Sequence, residues 1–185
     1  MKKLSLLLLL PVLAVSCNRT QPTVTNPPAA TGQNTNLSQA ALQTYSSADG
    51  FSFQYPKDWQ VTGMNLVAKN PTGCGDAWGD AVYCFDVQPT TMAQQNVSGP
   101  IIVLFFKTQL DPLKWCQSHG YIMSDCQPQD MHGYAGAQAS DQSVQPGPIY
   151  FDIAAHKGAL VTFMSVDPAY VSQLHTMADS ITFSN

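Results

Sequence analysis

The sequence contains no glutamate, and its single arginine is Arg19. All 12 acidic residues are aspartates, and charged residues make up 11% of the 185. The chain beyond residue 40 therefore has no guanidinium fork with which to grip phosphate or carboxylate. It has no basic patch either, which excludes nucleic acid as a partner. No CxxC, HxH, HExxH or GxSxG pattern occurs, so neither a zinc site nor a serine-nucleophile elbow is expected. The histidines, His119, His132, His156 and His175, are scattered. No catalytic residue, metal ligand or cofactor is expected on these grounds.

What is present begins with a leader. Lys2 and Lys3 precede an apolar run from Leu4 to Val15. This is a charged region followed by an apolar region of signal-peptide length, too short to span a bilayer. It ends Leu13-Ala14-Val15-Ser16-Cys17. A small residue directly before a cysteine resembles a bacterial lipobox, although Ala14 stands where leucine is usual. Residues 1–16 are read as a lipoprotein signal and Cys17 as the lipidated residue, with palmitate-type acyl chains. The competing reading is an ordinary secretory signal cut nearby. Residues 18–40 are rich in Asn, Gln, Thr, Pro and Ala. Such a segment buries too little surface to offset its ordering entropy, so 17–40 reads as a lipidated cysteine and a disordered polar tether. Residues 41–185 suit one domain.

Net charge is −4 overall, and without Lys2 and Lys3 six basic residues face 12 acidic ones, a balance of −6. The five cysteines are an odd number for an exported protein. Lipidation of Cys17 accounts for one. The others, Cys74 and Cys84, then Cys116 and Cys126, repeat a spacing of ten. Export favours disulfides. Three pairings are open to four cysteines, and the local one, Cys74–Cys84 with Cys116–Cys126, is preferred.

The chain is organised around residues 49–61. The turn pair Asp49-Gly50 opens the stretch, and Phe51, Phe53 and Tyr55 alternate with polar residues at strand period. Pro56 ends the ladder for want of an N–H, and Trp59 and Val61 return to an apolar face. The positions Gly50, Phe51, Phe53, Tyr55, Pro56, Trp59 and Val61 resemble the PsbP-like family, named after an extrinsic subunit of the oxygen-evolving photosystem. The chain end matches too, where a helix leads into Asp179-Ser180-Ile181-Thr182-Phe183. The cysteine arrangement lies outside that resemblance. The resemblance implies an accessory, assembly or stabilising role. It does not bring a photosystem role, because no interaction motif is visible.

Between these ends, Ala40–Ser46, Met64–Ala68, Ala81–Val87 and Ile101–Phe106 read as strands. The last is continuously apolar, as in a strand covered on both faces. Asp111-Pro112 reads as a helix start, with the helix running to His119. Cys116 and His119 then share one helical turn, but a disulfide consumes the thiol. Met131–Ser143 reads as a weak strand. Ile149–Ala155 and Ala159–Val166 form a hairpin around His156-Lys157-Gly158. Asp167-Pro168 opens a second helix, with Tyr170, Leu174 and Met177 on one face. The expected fold is α+β: a mostly antiparallel sheet with two or more packed helices, the PsbP-like sandwich.

Three functions are carried forward. The first is a membrane-anchored, non-catalytic lipoprotein domain of the bacterial cell envelope, in the periplasm or outside. It would bind an envelope protein partner or serve as an accessory or assembly factor. The second is a module for a small ligand or ion. The third is a hydrolase with dispersed residues. Asp76, Trp78 and Asp80 lie between Cys74 and Cys84 in a glycine-rich loop. They are candidate contacts, with a solvated loop, or Trp78 folded over the core, as the alternative. Buried, mutually facing Asp and His in a cleft would favour an enzyme. An exposed aromatic patch would favour protein binding.

Overall fold

A computed structural model describes residues 41–66, 80–95, 99–119, 124–141 and 148–184. All of them belong to one unit, Leu37–Asn185. Alternation at the chain's organising stretch is realised as strand β2, Phe51–Pro56, which pairs antiparallel with β1, Leu42–Ser46. Gly50 makes the turn between them at φ +85°, a conformation that residues with a Cβ rarely adopt. The terminal strand β10, Thr182–Phe183, pairs with the other edge of β2 and completes a three-stranded sheet.

The remaining strands are β3 Trp59–Leu66, β4 Tyr83–Pro89, β5 Ile101–Lys107, β6 Ser124–Met131, β7 Tyr134–Asp141, β8 Ile149–His156 and β9 Ala159–Ser165. They form a seven-stranded antiparallel sheet in the order β3-β4-β5-β9-β8-β7-β6. Helices among the described residues are α1 Thr90–Ala93, α2 Pro112–Ser118 and α3 Val171–Asp179, the last entered through a 3-10 turn at Pro168–Tyr170.

The alternation within each central strand assigns its side chains to one of two cores. Tyr83, Phe85, Val87, Val103 and Phe105 meet Phe51, Phe53, Leu174 and Met177 beneath the small sheet and α3. Cys84, Leu104, Phe106, Phe151 and Ile153 meet Trp115 and Cys116 of α2 on the other face. The result is an α+β sandwich: α2, the large sheet, then a layer shared by α3 and the small sheet. Ile101–Lys107 is covered on both faces, as its unbroken apolar run requires.

Both aspartate–proline starts form as expected. The Asp111 carboxylate accepts from Lys114 N at 2.9 Å, and that of Asp167 accepts from Ala169 N at 2.9 Å. The β8–β9 hairpin turns through Lys157 at φ +48° and Gly158 at φ +85°.

The larger departures from the sequence reading lie in β3, β6 and β7. The third strand begins at Trp59 rather than Met64, because Trp59 and Val61 already face the core as the chain passes from the small sheet to the large one. Met131 belongs to β6, and β7 starts at Tyr134 after a turn at His132 and Gly133. Strand β6 itself was hidden by its polar sequence and Pro128. It pairs on one side only, at the sheet edge, where proline is tolerated.

Candidate functional site

Cys17, Cys74, Asp76 and Trp78 lie outside the described residues. Asp80 is exposed, and its carboxylate lies 3.6 Å from His119 Nε2. His119 caps α2, stacks on Trp115 with ring centroids 4.1 Å apart, and places Nδ1 2.9 Å from the Trp115 carbonyl. It is thus a helix-end residue, as its position implies. Cys116 and Cys126 are joined in a disulfide, with Cα atoms 6.1 Å apart. Cys84 is disulfide-bonded as well, but its expected partner is among the undescribed residues. Among the described residues no group of three or more His, Cys or Asp side chains is placed to hold a metal ion.

The structure brings together a pair that sequence reading missed. Asp152 lies on β8, opposite Gln138 of β7 and Phe163 of β9. Its neighbours Phe151 and Ile153 point to the α2 side, so period two turns Asp152 toward α3. On α3, Leu174, Met177 and Ala178 are buried against the sheet. His175 follows Leu174 by about 100° of helical rotation and emerges at the edge of that contact. Its Nδ1 lies 2.6 Å from Asp152 Oδ2. Asp152 is 1% exposed, while the His175 side chain is 43% exposed. The two residues are 23 positions apart in different elements, so no local motif could have announced them.

Nδ1 donates to the carboxylate. It cannot also accept from the Gln138 amide, whose Nε2 sits 3.5 Å away. That approach is a contact rather than a hydrogen bond. The carboxylate holds the ring in one orientation and leaves Nε2 on the opposite side. Gln127 of β6 stands opposite Gln138, and Ser140 of β7 opposite Tyr150 of β8. With Asp152 and His175 these side chains line an open groove of about 340 Å³.

The hydrogen bond to Asp152 raises the His175 pKa above its ordinary 6.5, against the opposing effect of partial burial. Burial, aided by the charge of Asp179, raises that of Asp152 above its ordinary 3.8, against the hydrogen bond and charge of His175 and the hydrogen bond of Gln138. Both groups hold their protons more tightly in the folded state. Their contribution to stability is present below their unfolded values and is lost as pH rises through the folded ones. For His175 that loss lies above pH 6.5. We expect the His175 ring to titrate by NMR with a midpoint above 6.5, and Asp152→Asn to lower it. A midpoint at or below the ordinary value, or one unmoved by Asp152→Asn, contradicts this account.

The architecture is that of a PsbP-like α+β fold. No protein-family model matches the chain, and no curated protein matches it in sequence. The likeness lies in solved structures. The solution structure of cyanobacterial PsbP (CyanoP) from Synechocystis sp. PCC 6803 is similar over 80% of this chain and 96% of that one, with a TM-score of 0.51 at 15% identity. A crystal structure from Bacteroides thetaiotaomicron VPI-5482 matches with a TM-score of 0.49 at 11% identity. That match covers 77% of this chain, which spans about half (48%) of the Bacteroides chain. The fold expected from the aromatic stretch and the chain end is therefore the fold observed.

Proposed function

We propose that this protein is a lipid-anchored, non-catalytic accessory domain of a bacterial cell envelope, acting by binding a protein partner. The observation that carries the reading is the conjunction of a PsbP-like domain with a leader, Cys17 and a polar tether. Among the described residues no helix is long and apolar enough to cross a membrane, and in this reading the acyl chains on Cys17 provide the attachment. Several chains hold a protein far better than one. The Cys116–Cys126 disulfide accords with an oxidising compartment outside the cytoplasm. The contact surface in this reading is the loop bearing Asp76, Trp78 and Asp80.

Among the described residues the Asp152–His175 pair is the feature favouring a hydrolase, since a carboxylate that orients a histidine is half of a proton-transfer device. Proton transfer also needs a group to act on. His175 is hydrogen-bonded to Asp152 and in contact with the Gln138 amide, and the Cys116 thiol is consumed in its disulfide. The non-catalytic reading is kept for that reason.

Intact-mass analysis of protein extracted from its native membrane should show an acylated Cys17 at the N-terminus. A free N-terminus at another residue would refute the anchor. The same extract provides the test of the partner. Capture with the wild type and with Trp78→Ala should differ in the protein recovered, and equal recovery would remove the loop from the interface.

A further inference from the structure

The face of the large sheet that carries α3 is aromatic over β4 and β5 and becomes polar over β6, β7 and β8. Two cross-strand rows make the polar part. Gln127, Gln138 and Asp152 form one, and Ser140 with Tyr150 the other. Rows two residues apart along a strand share a face, separated by about 7 Å. His175 overhangs the first row from α3 and closes one side of the groove. Its volume, about 340 Å³, lies at the small end of ligand clefts, which run to about 300–1,000 Å³.

The lining decides the ligand's chemistry. It contains no lysine or arginine and includes the exposed Asp125, so an anion would meet a carboxylate and no fixed counter-charge. A metal ion lacks a converging donor set among the described residues. An apolar ligand would cover the glutamine amides and the Nε2 edge of His175 without satisfying them, at about 1–3 kcal/mol for each such group. A neutral ligand rich in hydroxyls meets none of these objections. Each hydroxyl donates and accepts, as do the amides it would face. The half-buried Tyr150 adds a ring surface at one side. Asp152 Oδ1 is shielded from solvent. The ligand therefore reaches Asp152 only through His175 and Gln138, and Asp152 is a positioning residue.

We propose that this groove binds a short neutral saccharide, held by Gln127, Gln138, Tyr150 and the Nε2 edge of His175. The site does not depend on the accessory role proposed above. An anchored domain without it, or a sugar-binding domain without a protein partner, would separate the two.

The test uses the full chain, with maltotriose and chitotriose as probes and inorganic phosphate and Mg²⁺ as controls. Binding is followed by calorimetry and by the His175 ring resonances. At least one trisaccharide should give saturable binding that shifts His175. Gln138→Ala should weaken that binding about tenfold in a variant that still melts cooperatively. Asp152→Asn should weaken it while lowering the His175 titration midpoint. The proposal is overturned if neither sugar shifts His175 at millimolar concentration. It is equally overturned if phosphate or Mg²⁺ alone reproduces the shift, or if Gln138→Ala binds as tightly as the wild type.

Discussion

Phe53→Ala should lower the melting temperature by roughly 6–20 °C. Phe53 is 1% exposed and sits where the two sheets meet. Its ring contacts Tyr45 and Phe163 at centroid distances of 5.2 Å each, the latter edge-on, and is stacked with Phe85 at 6.3 Å. Removing a buried phenyl group loses transfer energy and leaves a cavity, together about 3–5 kcal/mol. For a domain of this size each kcal/mol corresponds to roughly 2–4 °C. The neighbours cannot close the gap cheaply, because Phe51 is itself stacked on Phe105 at 5.4 Å and shares the same interface. Circular dichroism melting decides the matter. A variant that melts with the wild type would mean that the aromatic ridge is not what joins the two sheets.

The second large effect belongs to the Cys116–Cys126 bond. It closes a loop of ten residues' separation, which constrains the unfolded chain by about 3 kcal/mol. In the folded protein it fastens α2 to β6, the edge strand. The double variant Cys116→Ala/Cys126→Ala should therefore melt roughly 10 °C lower. It should also become sensitive to proteolysis near β6, since that strand has little apolar surface to hold it. Peptide mapping without reductant supplies the control. A crossed pairing of Cys116, or a double variant as stable and as protease-resistant as the wild type, would remove the bond from this role.

Several features were legible in the sequence because their causes are local. Alternation of Phe51, Phe53 and Tyr55 needs only a pleated strand with one buried face. Asp111-Pro112 and Asp167-Pro168 announce helix starts because cap and ring geometry act within a few residues. The Lys157-Gly158 turn follows from positive φ at two consecutive positions. Polar β6 could not be read in this way. Its place at the sheet edge comes from pairing with β7, and edge strands obey no apolar alternation. The His175–Asp152 pair was illegible for a related reason. An aspartate inside the apolar strand Ile149–His156 and a histidine in an amphipathic helix each look ordinary alone.

By itself the sequence determined most of the strand and helix cores, the α+β class, the preferred Cys116–Cys126 pairing and the absence of arginine from the domain. Each follows from residue type and short spacing. The tertiary structure alone decided the two-sheet order, the sharing of one face by α3 and the small sheet, and the polar groove with its paired Asp152 and His175. Those depend on which surfaces meet after the chain has crossed from one sheet to the other, and burial against a distant element leaves no periodic trace in the chain.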